Sequence, residues 1–283
     1  MCIRDSDLVT PTATITWPVH GSTMSVLTTI SGSYVERPNT PNQRSSMDKI
    51  QIRIFASSAP AASEQQGRYW TGSEWALGVS WPDCEVYLTS WSFANLSGVN
   101  WQNEAIYIMT VRARDIAGNE QSNFIIGQST INVRFDTQSP NATVTQPNLP
   151  SQPYVNQLYS KLQGQLLDNL AGASSVYFIL SKFEDGTTYY LSPALVWETF
   201  VSTIMAEVLE PKGALVADWE HTVGVGVWTS DRKYNVRVRG VDAAVPVGNV
   251  ETWGVGYDFW VDTTPPSVAI TTPVPEGLST RVM

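Results

Sequence analysis

The sequence has few of the residues that most often carry out chemistry. Its 283 residues include only two cysteines, Cys2 and Cys84, and only two histidines, His20 and His221. The cysteines lie in very different contexts, so we expect no intramolecular disulfide, and no Cys/His spacing resembles a zinc site. Serine-hydrolase elbows, Walker loops, dinucleotide-binding glycine motifs and His-Glu-x-x-His motifs are absent from the sequence. We therefore predict that the protein is not an enzyme.

Charged residues are also scarce. They make up 15% of the chain, against roughly 25% in an average soluble domain. The net charge is −9, and an acidic surface repels phosphate backbones, which argues against a nucleic-acid partner. No apolar run approaches the ~18 residues of a membrane span, and no apolar signal-peptide core follows Met1. The 42% of hydrophobic residues is enough for packed cores, and the length suits about two domains.

What the sequence does contain is a repeated opening. Asp7 begins DLVTPTATITWP, Asp136 begins DTQSPNATVTQP and Asp262 begins DTTPPSVAITTP, and the three align without a gap. A second shared pattern begins at Tyr107 with YIMTVRARDIAGN and at Tyr234 with YNVRVRGVDAAVPVGN, where the later copy has three extra residues. Agreement at so many positions indicates a tandem duplication.

These repeats divide the chain. We predict unit 1 at residues 7–135, unit 2 at residues 136–261 and a truncated start of a third unit at residues 262–283. The opening MCIRDS resembles sequencing-adapter read-through in metagenomic assemblies, so residues 1–6 are interpreted as a non-native leader. We accordingly expect the chain to be a fragment of a longer protein.

Short alternating segments predict an all-β fold. Residues 12–16, 49–55, 107–114 and 129–135 alternate in the first unit, and residues 142–145, 175–183, 234–241 and 257–261 do so in the second. Asp185-Gly186 favours a tight hairpin turn. Residues 192–210 place several apolar side chains on one helical face, but the matching part of the first unit has no such period. Strand and loop are therefore favoured there, with a short helix as the alternative.

The pattern Tyr-x-apolar-x-Val-Arg-Ala-x-Asp-x-Ala-Gly-Asn, closed by Asp-Thr-Thr-Pro-Pro, resembles the tandem bacterial immunoglobulin-like repeats of large secreted and cell-surface proteins. This resemblance implies antiparallel β-sandwiches, an extracellular or cell-surface location, and a tyrosine corner at Tyr107 and Tyr234. The inter-sheet cysteines of antibody domains are absent, since Met109 and Val236 stand where the second would be.

Eleven tryptophans raise the question of a ligand. Trp91, Trp101, Trp219 and Trp228 recur between the units, so we predict that they lie in the cores. Trp70, Trp75 and Trp81 lie within loop-like sequence and match unit 2 less well, at Tyr190, Trp197 and Phe200. A row of exposed indoles stacks on sugar rings, so these three are the candidate carbohydrate-binding residues.

Five aspartates fall at or near the boundaries between units. Asp7, Asp136 and Asp262 open the repeats, and Asp115 and Asp242 lie in the loops that follow the Tyr-containing strands. Calcium binds six to eight such oxygens, so these residues are a candidate junction calcium site. The alternative is that they only cap turns through their own backbone. No other cofactor is expected.

These observations favour a non-catalytic extracellular module that serves as a spacer or display repeat in a larger surface or secreted protein. Prolines such as Pro140 and Pro265 stiffen each junction, because proline fixes φ and lacks an N–H. The expected partners are neighbouring repeats in the same chain and cell-surface or extracellular polysaccharide. The alternative is a carbohydrate-binding accessory module of a secreted polysaccharide-active enzyme, which would depend on Trp70, Trp75 and Trp81.

Overall fold

The computed structural model describes residues 7–36, 46–147 and 153–269. Within these ranges the chain consists of β-strands and two short 3-10 helices, Ala61–Ser63 and Val225–Val227. The predicted all-β class is confirmed. No helix in the described part of the chain has the length and hydrophobicity needed to cross a membrane. The predicted leader at residues 1–6, which includes Cys2, and residues 270–283 of the third repeat lie outside the described residues.

In unit 1 the described strands form two sheets. The first has the spatial order β1-β3-β8-β7 and the second β2-β10-β9-β4-β5-β6. Neighbouring strands are antiparallel except β2 and β10, which run parallel. The strand bounds are β1 Thr12–Trp17, β2 Thr23–Met24, β3 Ile30–Val35, β4 Met47–Ser58, β5 Tyr69–Trp70, β6 Trp75–Ala76, β7 Glu85–Val86, β8 Ser90–Phe93, β9 Ile106–Asp115 and β10 Thr130–Phe135.

Unit 2 repeats this arrangement, with one additional link. Its strands follow the order β11-β13-β18-β17-β14-β19-β20-β12, and β15 pairs with β14 and β16. Because β17 pairs with both β18 and β14, it joins the strands β11-β13-β18 to the strands β14-β19-β20-β12 in one continuous order. The bounds are β11 Asn141–Gln146, β12 Tyr154–Val155, β13 Lys161–Leu167, β14 Ala173–Glu184, β15 Thr187–Leu191, β16 Trp197–Glu198, β17 Ile204–Val208, β18 Val216–Thr222, β19 Arg232–Asp242 and β20 Tyr257–Val261.

The alternation seen in the sequence gives each strand one apolar face. On β4, Ile50, Ile52 and Ile54 are fully buried, and they lie in one core with Trp91 and Phe135. A second, separate core fills unit 2. Its largest fully buried side chains are Phe178, Trp219, Tyr234 and Phe259. The prediction of core tryptophans is confirmed for Trp91, Trp219 and Trp228, and Trp101 is half-buried against the unit 1 core.

A tryptophan and a glycine form the same contact in both units. The Trp91 indole N–H donates to the Thr14 carbonyl at 3.1 Å, and the Trp219 indole N–H donates to the Thr143 carbonyl at 3.0 Å. The indole crosses a glycine on the intervening strand. A Cβ on Gly164 would lie 1.9 Å from the Thr143 oxygen and 2.5 Å from the Trp219 ring. Only glycine therefore leaves room for this contact.

Each core also contains a buried tyrosine whose hydroxyl bonds to the chain upstream. The Gln102 backbone N–H donates to the Tyr107 hydroxyl at 3.2 Å, and the Thr229 backbone N–H donates to the Tyr234 hydroxyl at 2.8 Å. Both donors lie five residues before their tyrosine, as in a tyrosine corner. Burial raises the pKa of Tyr107 to about 12.

The segment at residues 192–210 contains strands and a loop, as favoured, and no helix. Its apolar residues do not share a face: Ile204 is buried in β17, whereas the next residue, Met205, is exposed. Period-2 alternation in β17 thus replaces the helical pattern. The predicted hairpin is present between β14 and β15, where Asp185 and Gly186 have φ values of 50° and 78°, as a primed turn requires.

A polar side chain ties the first strand of each unit to the opposite sheet. In unit 1, Gln121 Oε1 accepts the Ala13 N–H at 2.8 Å, and Gln121 Nε2 donates to the Ala13 carbonyl at 3.3 Å. In unit 2 the matching Glu251 accepts the N–H groups of Ala142 and Gly240, both at 2.9 Å. Burial raises the pKa of Glu251, and these two hydrogen bonds oppose the rise.

Candidate carboxylate sites at the start of each unit

Two groups of three carboxylates occupy matching places in the two units. The unit 1 cluster is Asp7, Glu36 and Asp115, and the unit 2 cluster is Asp136, Asp168 and Asp242. In each cluster one oxygen from every residue lies within 4.8 Å of the others. Each cluster joins the first residue of a unit, the residue after its second long strand (β3 or β13) and the last residue of β9 or β19.

Backbone hydrogen bonds hold the unit 2 cluster in place. Asp136 accepts the N–H groups of Gln138 at 3.1 Å and Ala171 at 2.9 Å. Asp168 Oδ2 accepts the N–H of Gly172 at 2.6 Å and that of Leu170 at 3.0 Å. The bonds from Gln138, Leu170 and Gly172 are short-range turn contacts typical of aspartate, whereas the Ala171 bond joins residues 35 apart in the sequence. Together they fix the directions of the Asp136 and Asp168 carboxylates.

An asparagine supports the third member of each cluster. In unit 2 the Asn249 backbone N–H donates to Asp242 Oδ1 at 2.8 Å, and its side chain donates to Asp242 Oδ2 at 2.7 Å and to the Asp136 carbonyl at 2.9 Å. In unit 1 Asn119 makes the same three contacts with Asp115 and Asp7, at 2.8, 2.7 and 3.1 Å. The Gly-Asn pair of the repeat thus ties the end of β9 or β19 to the start of its unit.

The unit 2 cluster concentrates negative charge in a buried place. Asp136 and Asp242 are almost fully buried, and Asp168 is partly buried. Burial raises the pKa of Asp136; its hydrogen bonds oppose this, and repulsion from Asp168 and Asp242 adds to it. Among the ion pairs formed by described residues, none includes a member of this cluster.

One oxygen in the unit 2 cluster has no donor. Asp168 Oδ1 is buried and accepts no hydrogen bond from the described part of the chain. A buried carboxylate oxygen without a partner is costly, and such oxygens are normally satisfied by a donor or a metal ion. Two oxygens bound to one Ca²⁺ at 2.3–2.6 Å lie at most about 5 Å apart. The 4.8 Å limit within each cluster fits that spacing.

The structure brings four of the five aspartates singled out in the sequence into these clusters. Asp7 joins Asp115, and Asp136 joins Asp242, whereas Asp262 is exposed and belongs to neither. Asp262 does repeat the local turn, because its Oδ1 accepts the Thr264 N–H at 3.0 Å. Whether any of these residues binds calcium stays a prediction.

Sequence reasoning missed the third member of each cluster, Glu36 and Asp168. Each is the residue immediately after the strand that pairs with the first strand of its unit. The distance from Asp136 to Asp168 is three residues longer than that from Asp7 to Glu36, so a gapless alignment does not match the two acids. Aligning the ends of the second long strands would have revealed them.

The three candidate sugar-binding tryptophans do not form an exposed row. Trp70 is only 1% exposed, and its indole N–H donates to the Asn95 carbonyl at 2.8 Å. Trp75 packs on the same core and lies 5.7 Å from the Tyr107 ring. The loop-like sequence in fact forms the β5–β6 hairpin, which covers one end of the core. This corrects the prediction that Trp70 is available to a ligand.

Trp81 is held by cations. The Arg112 guanidinium lies 4.3 Å and the Arg53 guanidinium 5.0 Å from its ring centre, and Phe124 stacks beside it at 6.1 Å. Strand pairing also corrects the predicted match of Trp70 with Tyr190. Phe55 and Ser181 are equivalent, because they pair with the residues that follow Tyr107 and Tyr234. Phe55 pairs with Tyr69 and Ser181 pairs with Tyr190, so Tyr69 is the residue that matches Tyr190. Trp70 therefore corresponds to the fully buried Leu191 rather than to Tyr190.

The two histidines lie in different units and serve local contacts. His20 Nδ1 accepts the Asn132 N–H at 3.2 Å. His221 lies 5.1 Å from the Phe178 ring, and burial lowers its pKa. Cys84 is a free thiol whose pKa is raised by burial and by the Asp83 charge, which favours the unreactive protonated form.

Comparison with known proteins gives distant similarities to solved structures. No family model matches the chain, and no curated protein matches it. A solved structure described as a Ca²⁺-stabilised adhesin that helps an Antarctic bacterium reach out and bind ice aligns with 93% of this chain and 50% of that one, at 14% identity and a TM-score of 0.34. A structure from a 1.5-MDa bacterial ice-binding adhesin aligns with 83% of this chain and 58% of that one, at 12% identity and a TM-score of 0.28.

These alignments span little more than half of each adhesin structure. Neither similarity is close enough to establish a shared fold, because both TM-scores lie below 0.5.

Proposed function

We propose that this chain is a non-catalytic extracellular module that acts as a spacer or display repeat in a larger surface or secreted protein, and that calcium stiffens the junctions between its units. The observation that supports this is the repetition of one cluster of three carboxylates at the start of each unit. Both units have a carboxylate at each of the three matching positions, with Glu36 in unit 1 where unit 2 has Asp168, although their loops differ in length.

The position of the unit 2 cluster explains how a cation would act. Asp136 directly follows β10 of unit 1, and its backbone N–H donates to the Met24 carbonyl of that unit at 2.8 Å. Asp168 and Asp242 belong to unit 2. A cation held by all three carboxylates would connect the end of one unit to two loops of the next, which limits bending at the junction.

An extracellular location suits such a site. Extracellular calcium modules bind with dissociation constants of about 10⁻⁴–10⁻³ M, which match millimolar calcium outside cells. Carboxylate and carbonyl oxygens are the ligands that this hard cation prefers, and each cluster supplies three carboxylates.

Small-angle scattering tests the spacer directly. A compact globule of about 255 residues would have a radius of gyration near 18 Å, whereas two such units end to end give about 22 Å. We expect the larger value in about 5 mM CaCl₂, a level above the dissociation constants of such modules, and a broader distance distribution in EGTA. A compact profile in calcium would contradict the proposal.

A matched pair of variants links the effect to the cluster. Asp168→Asn removes one charge from the unit 2 cluster, and Asp185→Asn removes one charge from an exposed hairpin tip. Only the former should abolish the difference between calcium and EGTA. The alternative carbohydrate-binding function has no comparable support, since Trp70 and Trp75 pack on the core.

A further inference from the structure

A loop of unit 2 pairs with an edge strand of unit 1. The Val245 N–H donates to the Thr23 carbonyl at 3.0 Å, and the Ser25 N–H donates to the Val245 carbonyl at 2.8 Å. The Ser25 hydroxyl adds bonds to the carbonyls of Val245 at 3.2 Å and Val247 at 2.6 Å. Val245 thus forms a parallel bridge with Met24, on the edge of β2 that faces away from β10.

The loop that makes this contact is longer in unit 2 than in unit 1. The loop runs from Asp242 to Asn249 and contains three residues more than its counterpart from Asp115 to Asn119. The insertion lets Val245 reach the neighbouring unit, where its side chain packs against the unit 1 core. We call residues 242–249 the long loop.

Unit 2 has the same edge, and no described segment of the chain pairs with it. β12 pairs with β20 in parallel as β2 pairs with β10, and the N–H groups of Trp260 and Asp262 donate to the carbonyls of Pro153 and Val155. No strand in the described part of the chain pairs with the other edge of β12. Tyr154 is 69% exposed there.

Matching positions on the two edges differ in burial, as expected if the long loop covers β2 and no described segment covers β12. Tyr154 and Asn156 of unit 2 are exposed, whereas Thr23 and Ser25, which stand at the same places in unit 1 and meet the long loop, are partly buried. An edge with free N–H and C=O groups is a template for pairing with another segment. The occupied edge of unit 1 shows which kind of segment fits.

We propose that the outer edge of β12 is a docking site for the long loop of a following copy of unit 2. This inference rests on the proposed spacer function, because it requires units in series. The Tyr154 carbonyl would accept, and the Asn156 N–H would donate, in the places of Thr23 and Ser25. A unit with the short loop would not reach this edge, so loop length decides which successive units are clasped.

Hydrogen exchange of single amides tests the docking. In the chain as it exists, the Ser25 amide should exchange at least about tenfold more slowly than the Asn156 amide, because only Ser25 is bonded to the long loop. The full chain is then extended after Val261 with a second copy of residues 136–261. In this extended chain the Asn156 amide should slow by at least about tenfold, to a rate near that of Ser25.

The matched control is the same extended chain in which the added long loop is replaced by the Asp115–Asn119 sequence. Asn156 should exchange as fast there as in the original chain. If the shortened loop prevents folding, a Val→Pro change at the added copy's Val245 position removes the donating N–H instead. Equal Asn156 exchange with the long and the altered loops would overturn the docking proposal.

Scattering of the same samples separates this proposal from the spacer. An elongated profile together with fast exchange of the Asn156 amide means that the units are in series but the long loop is not bound to β12, which rejects the docking site alone. A compact profile would reject the spacer function itself. Slow Asn156 exchange that depends on the long loop, together with an elongated profile, supports both.

Discussion

The Asp168→Asn variant is predicted to have opposite effects on stability with and without calcium. In EGTA the three carboxylates of the unit 2 cluster repel one another. Two unit charges 4.8 Å apart interact with about 3–4 kcal/mol at an effective dielectric constant of 20. Asp168 takes part in two of the three pairs, so neutralising it removes the larger share of the repulsion.

The amide also suits the local geometry. Asparagine keeps one oxygen that can accept the N–H groups of Leu170 and Gly172, as Asp168 Oδ2 does. Its amide nitrogen replaces the unpartnered Oδ1 and can donate to a neighbouring carboxylate. Because the N–H groups of Gln138 and Ala171 that donate to Asp136 already offset part of the repulsion, we expect a net gain of about 1–2 kcal/mol in the free energy of unfolding in EGTA.

In calcium the wild type should be more stable than Asp168→Asn, the reverse of the order in EGTA. At a calcium concentration 100 times the dissociation constant, binding stabilises the wild type by about 2.7 kcal/mol. For a unit of about 125 residues this raises the melting temperature by roughly 10 °C. Asp168→Asn loses a ligand charge, so its melting temperature should rise by less than about half as much.

Thermal melts by circular dichroism, in EGTA and in about 10 mM CaCl₂, are sufficient to measure this. Asp185→Asn serves as the control and should behave as the wild type in both solutions. The reasoning would be refuted if Asp168→Asn lowered the melting temperature in EGTA and left the calcium-induced rise unchanged.

Three further predictions concern the framework of the units. Because the pKa of Glu251 is raised in the fold, protonated Glu251 stabilises the fold fully below its ordinary pKa of 4.5, and this stabilisation is lost as the pH rises through the folded pKa. In urea titrations Glu251→Gln should remove this pH-dependent loss of stability. Gln121→Glu should introduce a loss of the same kind in unit 1. Gly164→Ala should cost about 3 kcal/mol or more in the same titrations, since its Cβ would overlap the Trp219 ring; an unchanged midpoint would contradict this packing. Trp70→Ala should destabilise unit 1 by about 3–5 kcal/mol in thermal melts and leave retention on insoluble glycans unchanged, because the side chain is buried; a stable variant with altered retention would restore the ligand hypothesis.

Local patterns were enough to predict the long strands and one hairpin. Alternation marked β4, β9, β14 and β19, and the φ > 0 requirement of a primed turn identified Asp185-Gly186. The recurrence of Trp91 and Trp219 also indicated burial, because a duplicated fold keeps its core. These signals lie within a single strand or turn, or in the alignment of the two copies.

Features that depend on tertiary contacts were not predictable in the same way. Glu36 and Asp168 reach their clusters through strand pairing, and a difference in loop length hides their equivalence. Trp70 lies in sequence that resembles a loop, and its burial follows from the short β5–β6 hairpin folding over the core. The two-residue strands β2 and β12 carry no periodicity at all, so the long-loop contact could be found only in three dimensions.

The most direct test of the central claim is a calcium titration by isothermal calorimetry on the wild type and on Asp168→Asn. Calcium-held junctions predict two sites in the wild type, one for each cluster, and a single remaining site in the variant. The absence of binding in the millimolar range, or a stoichiometry that Asp168→Asn does not change, would contradict the claim that the carboxylate clusters hold the junctions.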